Sequence, residues 1–239
     1  MEKKFLIKNP DEFLKFLDCN SKISDSSILE VTSDKISSLA SSADNTLILH
    51  SEYTADTGFN DTLNIPDLKK LYRVIDTIQS EDITLQVNSN NIEYNGSGIK
   101  FKYHLFDEGF LSKPNLNLEK INSFKFDISF NINKDTIQQV FKGSTFASET
   151  NKLYFYTDNG NIMAELTDKA RHNTDKFSIS LGEADFNLKP IPVNFDNIRL
   201  LSIINNDMTV NINTEYGVII FDIEQNNIKL KYIISALTQ

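Results

Sequence analysis

The chain has 239 residues, 40% of them hydrophobic, with 17 Phe and 8 Tyr. That is apolar material for one large domain or two of roughly 120 residues each, and it excludes a disordered chain. The formal charge is -9, from 24 Lys and Arg against 33 Asp and Glu, which opposes casual binding to nucleic acid or anionic lipid without forbidding a local basic surface.

The start, MEKKFLIKNP, carries two lysines but no long apolar stretch or small-residue cleavage site, and is not read as a signal peptide. No apolar run nears the ~20 residues of a membrane helix, so no membrane partner is expected. Cys19 is the single cysteine, which fits a reducing, cytoplasmic setting.

Phe5 and Ile7 sit in a first strand that leads into a helix from about Pro10 to Asn20. Asn9 is placed to cap it, Pro10 suits the first helical position, and Phe13, Phe16 and Leu17 form the buried stripe. Strand-like runs follow, among them TLILHSEY. Residues 66 to 79, IPDLKKLYRVIDTIQ with its flank, give a second helix whose apolar side is Leu68, Leu71, Tyr72 and Ile75. After it come DITLQV, NIEYNG and IKFKYHLF, alternating runs broken by the turn NGSG.

Residues 107 to 123, DEGFLSKPNLNLEKINS, have no clear period and read as an extended connector. The pattern then starts again. Phe130 and Ile132 stand 125 residues after Phe5 and Ile7, and they lead into a helix from about Lys134 to Lys142 with Asn133 as its cap. KLYFYTD, KFSISL, VIIFDIE and IKLKYIIS supply strands, and NFDNIRLLSIIN a fourth, less regular helix. Asp207 and Thr209 repeat Asp82 and Thr84, again at 125. The expected organisation is α+β, with two similar domains at 1–107 and 124–239 joined by a connector at 108–123. Each domain has two helices packed on antiparallel sheets.

The helices carry their cations in a common way. Lys15 and Lys22 lie seven residues apart with Cys19 between them, taken here as one face. Lys69, Lys70 and Arg73 form a stripe on the second helix, Lys134, Gln138 and Lys142 recur on the third, and the fourth offers Arg199. Acids gather at the starts, as with Asp11, Glu12, Asp67, Asp135 and Asp196, where the helix dipole favours them. A solvated face explains any single stripe. Four of them in an acidic protein point to one shared basic surface.

At this level the chain resembles the DNA sliding clamp family, in its two-domain type, which includes proliferating cell nuclear antigen and the clamps of tailed phages. The resemblance rests on SSLASSADNTLILHSEY at 37–53, the helix at 66–79 followed by DITLQV, and the closing run IKLKYIISAL at 228–237, taken with the repeat. It implies a homotrimeric ring with pseudo-sixfold symmetry, helices inside and sheets outside. It further implies a processivity factor in DNA replication that encircles double-stranded DNA without reading sequence, tethers a DNA polymerase and is opened by an ATP-dependent clamp loader. Short length and acidic charge suggest a phage version, which would act in the host cytoplasm. No cofactor and no metal are implied.

Residue by residue, the resemblance places Lys15, Lys22, Lys69, Lys70, Arg73, Lys134, Lys142 and Arg199 toward DNA. It places Ile99, Phe101, Tyr103, Phe177, Ile179 and Leu181 on the strands that join subunits, unless these are interior strands. A partner-peptide pocket would take Leu39, Ala43, Leu116, Leu118, Tyr216, Ile233 and Ala236, with Leu39 and Ile233 as ordinary core the alternative. The tail departs from the eukaryotic pattern, with Ile233 in place of an aromatic residue and Ser235-Ala236 in place of an Ala-Pro pair.

An enzyme is not expected. His50, His104 and His172 are scattered, and no HExxH, GxSxG or GxxxxGK[ST] occurs. DKARHNTDK at 168–176 reads as an exposed loop. The competing reading from another class is a β-rich two-domain scaffold that binds only proteins, which gives no reason for cations on the helices.

Overall fold

The computed structural model describes residues 3–237; the expected domain limits at 1 and 239 lie outside that range. By its internal contacts the chain divides into two units. Unit 1 comprises Met1–Leu116 with Glu224–Leu230, and unit 2 comprises Asn117–Ile223 with Lys231–Gln239.

Unit 1 contains β1 (Lys3–Lys8), α1 (Pro10–Ser21), β2 (Ser27–Val31), β3 (Lys35–Ser41), β4 (Leu47–Thr54), β5 (Asp61–Ile65), α2 (Leu68–Asp76), β6 (Asp82–Val87), β7 (Asn91–Gly96) and β8 (Ile99–His104). Its strands run in the orders β1-β6-β7-β8 and β5-β2-β3-β4, antiparallel throughout. The alternation BiBiBiBe of β4 shows one face in the core and one outside, as period-two patterning demands. α1 and α2 pack against each other, and α1 also lies on β4.

The core of unit 1 is aromatic. Phe13 meets Phe5 edge-on at 5.4 Å between centroids, lies 5.3 Å from Tyr53 and stacks on Phe16 at 6.0 Å. The Tyr53 hydroxyl donates to the Lys8 carbonyl at 2.9 Å, and burial pushes its pKa up to about 12. Buried Asn20 donates to the Phe16 carbonyl and to Ser51 Oγ, both at 2.8 Å, so its amide carries no unmet donor into the core.

Unit 2 contains α3 (Leu118–Asn122), β9 (Ile128–Ile132), α4 (Lys134–Gly143), β10 (Lys152–Asp158), β11 (Asn161–Leu166), β12 (Phe177–Glu183), β13 (Ile191–Asn194), α5 (Phe195–Arg199), β14 (Met208–Asn213), β15 (Val218–Gln225) and β16 (Ile228–Ser235). Its strand orders are β9-β14-β15-β16 and β13-β10-β11-β12, element for element those of unit 1. The tip of the β15–β16 hairpin counts with unit 1.

The repeat extends to strand register. Phe5 stands opposite Leu85 and Ile7 opposite Ile83; Phe130 stands opposite Val210 and Ile132 opposite Met208. All four pairs keep the 125-residue offset. A slip of one residue would turn the apolar set outward, so a shared register means a shared core face. Turn chemistry agrees. Ser97-Gly98 and Asn159-Gly160 each place two successive residues at positive φ, the geometry of tight two-residue hairpins, which glycine tolerates and Asn visits more readily than most residues.

Three sequence expectations change. Asn9 precedes α1 in the left-handed region, at φ 59°, and caps with no side-chain hydrogen bond; only its carbonyl takes part, accepting from Glu12 N at 3.2 Å. The connector at 107–123 is not extended throughout, because Asn117 accepts a hydrogen bond from Lys120 N and starts α3, whose Ile121 is buried. The fourth helix is five residues of α-helix continued by a 3-10 turn at Leu200–Ile203. The division between units falls at Leu116 and Asn117, inside the connector.

Candidate nucleic-acid interface

α2 carries the densest cationic face. Asp67 accepts from Lys70 N at 2.8 Å and fixes the helix start, while Leu68, Leu71 and Ile75 are buried. This turns Lys69, Lys70 and Arg73 outward, all exposed. Lys69 reaches Asp25 Oδ1 at 2.8 Å, and that hydrogen bond and charge hold the Asp25 carboxyl below its usual range. Lys70 and Arg73, three residues apart on one side of the helix, make no ion pair among the described residues.

α4 repeats the arrangement more sparsely. Asn133 accepts from Asp135 N at 2.8 Å, and Ile137 and Val140 face the core. Lys134 and Lys142 are exposed and make no ion pair among the described residues; at 1.5 Å per residue they stand about 12 Å apart along the axis. Gln138 lies between them and donates to the Ser202 carbonyl at 3.3 Å.

The other two helices differ from expectation. On α1 the outer residues are Asp11, Lys15, Asp18 and Lys22, so acids alternate with cations; Cys19 is fully buried and shares no face with the lysines. Lys22 pairs with Asp18 at 3.4 Å and Lys15 donates to Gln225. The neighbouring Tyr72 hydroxyl is pushed up by burial and then by Asp76, Asp18 and Asp11, which marks an acidic corner on this helix pair. On α5 the Arg199 guanidinium pairs with Asp196 at 3.0 Å and lies 4.8 Å over the Phe195 ring. Asp18 and Asp76 are what the sequence reading passed over; helical spacing alone puts both on outer faces. The basic surface is thus carried by Lys69, Lys70, Arg73, Lys134 and Lys142, while Lys15, Lys22 and Arg199 are locally balanced.

Both strands expected to join subunits occupy sheet edges, not interiors. On β8, Ile99 and Phe101 are half-buried between exposed Lys100 and Lys102, and Phe101 stacks on Tyr94 at 5.8 Å. On β12, Phe177 and Ile179 are half-buried between exposed serines. Tyr103 and Leu181, named with them, are buried in their own units. Tyr103 donates to the Asp67 carbonyl at 2.7 Å, which ties it to the start of α2.

The residues named for a partner pocket divide between the units. In unit 1 Leu39 is half-buried and lines a groove of about 250 Å³ with Leu111 and Pro114; the Lys113–Glu30 ion pair holds the connector's start beside it. Ala43 sits on an exposed turn outside this groove, and Leu116 is half-buried. In unit 2 Leu118 is half-buried, and Tyr216 is exposed and stacked on Phe124 at 5.4 Å. Ala236 N donates to the Gly217 carbonyl at 2.7 Å. Ile233 is buried and belongs to the core, which corrects its assignment to a binding surface.

No protein-family model and no curated protein matches the sequence. Solved structures do match. PCNA of A. fulgidus, in a structure with the C-terminal region of FEN-1 bound, superposes over 100% of this chain and 99% of its own, with TM-score 0.79 at 11% identity. Proliferating cellular nuclear antigen of Entamoeba histolytica covers 99% of this chain and 98% of its own, at 0.77 and 12%. A putative DNA polymerase III beta subunit of Eubacterium rectale covers 100% of this chain with 67% of its length, at 0.74 and 12%. The chain has the DNA-clamp fold.

Within that fold the helical cations and the two edge strands become the features to explain. Among the described residues no group of three His, Cys, Asp or Glu is placed to hold a metal ion, and no helix is long and apolar enough to cross a membrane.

Proposed function

We propose that this chain is a sliding clamp, a processivity factor in DNA replication. Three copies form a closed ring around duplex DNA, and the ring tethers a DNA polymerase to its template. The observation that carries the reading is the clamp fold over the whole chain, coupled with exposed, unneutralised cations on α2 and α4 of an acidic protein. Cations on the ring's inner face would contact phosphates without reading sequence, and the acidic remainder would keep DNA from adhering elsewhere. Retention is topological, so a few loosely held Lys and Arg suffice and tight binding would hinder sliding.

The ring closes by pairing β8 of one copy with β12 of the next, which removes two exposed edges that would otherwise invite aggregation. The protein performs no chemistry of its own. A separate ATP-dependent loader opens the ring, and partner peptides dock near the connector. The chain is of phage type and works in the host cytoplasm.

Light scattering across a concentration series tests the ring. A species of three times the 27.2 kDa chain mass supports it, and a chain that stays monomeric when concentrated overturns it. Salt-sensitive retention on circular DNA, lost on linearisation, separates a clamp from a scaffold that binds only proteins.

A further inference from the structure

Unit 2 carries a cavity of about 580 Å³, well within the size range of ligand sites, that none of the features above uses. Its apolar surface comes from Tyr154, Pro192 and Leu237, and Lys152, Lys169 and Lys189 stand at its rim. We propose that this cavity binds an acidic peptide segment through one apolar side chain, with the peptide's carboxylates on the three lysines.

Charge favours that occupant. Lys152 bonds to Asp168 at 3.0 Å, and Lys169 reaches buried Glu165 at 3.4 Å, each spending part of its hydrogen-bonding capacity inward. An ammonium has three donors, so both keep donors for an anion from outside. Lys189 is exposed and makes no ion pair among the described residues. A rim of three lysines is a local inversion of a chain whose net charge is -9. An acidic peptide gains there and is repelled elsewhere on the surface.

The shape excludes two other modes. Pro192, on the sheet-edge strand β13, has no N–H, and its carbonyl already accepts from Leu237 N at 2.8 Å. A ligand strand therefore cannot add through Pro192, and side chains must carry recognition. Single-stranded nucleic acid would need a bare aromatic face for its bases. Tyr154 is nearly buried, and the Lys169 ammonium lies over its ring at 4.6 Å.

The test uses the full chain and a fluorescein-labelled ten-residue peptide of Asp and Glu around a central Leu, followed by anisotropy at low and moderate salt. Binding should weaken with salt. It should fall at least tenfold in Lys189→Glu and, independently, in Leu237→Ser, and stay unchanged in Leu39→Ser. Circular dichroism should show all three variants folded as the parent. The same peptide with Asn and Gln in place of its acids should bind at least tenfold more weakly. The proposal is overturned if Lys189→Glu and Leu237→Ser both bind the peptide like the parent. It is equally overturned if an oligonucleotide of equal charge binds more tightly than the peptide and depends on Lys189.

Discussion

The ring of Phe177 occupies the space that a side chain at Gly143 would fill: a Cβ there would stand 2.2 Å from Phe177 Cε1. The end of α4 and the start of edge strand β12 are thereby keyed together within unit 2. Gly143→Ala would normally gain up to about 1 kcal/mol of helix propensity, less at a helix end. Overpacking costs about 1–3 kcal/mol. Packing should win, so the variant should show a lower midpoint in urea with its slope unchanged.

Lys70 and Arg73 are the cations with least internal employment. Lys70→Glu with Arg73→Glu should leave the thermal midpoint within a few degrees of the parent, because neither side chain is buried or ion-paired among the described residues. Retention on circular DNA should drop sharply. The slope of log affinity against log salt should shrink by about 2, one unit for each lost phosphate contact. An unchanged slope would remove both residues from the DNA-facing set.

Ile233→Asp tests burial, not docking. Ile233 is 6% exposed, so a carboxylate there loses packing and becomes an unpaired buried charge. The expected cost is about 4 kcal/mol or more, a large part of a typical domain's stability. Urea unfolding should reveal it as a global loss. Leu39→Asp, on a half-buried groove residue, should instead keep most of the stability and weaken a docked polymerase peptide.

Glu165 predicts an acid transition. Burial works against its charged form, yet hydrogen bonds from Lys176 and Tyr156 and the charges of Lys169 and Lys176 outweigh it, so its pKa lies below the ordinary 4.5. A depressed carboxylate stabilises the fold fully above its unfolded pKa and loses that contribution as pH falls through the folded one. The parent should therefore lose stability below about pH 4.5 partly through this group. Glu165→Gln should be roughly 1–2 kcal/mol less stable at pH 7, a modest figure because both lysines are half exposed. Its stability should also fall less steeply in acid. Equal acid slopes for the two proteins would refute the assignment.

Phe101→Asp and Ile179→Asp address the edges of β8 and β12. Both side chains are only half-buried within their own units, so each variant should remain folded. Each should shift the light-scattering mass from the trimer to the 27.2 kDa chain at micromolar concentration. A trimer that survives both changes would rule out these strands as the joint.

Much of this protein was legible in its residues. Phe5 with Phe130, Ile7 with Ile132 and Thr84 with Thr209 announced the repeat, because period-two and period-3.6 burial leave marks that survive in one dimension. The stripes at Lys70–Arg73 and Lys134–Lys142 were visible for the same reason. What the sequence could not supply was partnership. Whether Arg199 faces solvent or closes on Asp196, and whether Ile233 lines a surface or fills the core, depends on what folds against them. Glu165 meets Lys176 across strands β11 and β12, and Phe177 meets Gly143 across more than thirty residues of chain. Periodicity fixes which face a residue occupies; only the packed tertiary structure fixes which neighbour waits there, since charge balance and steric fit are set by through-space distances that sequence spacing does not encode.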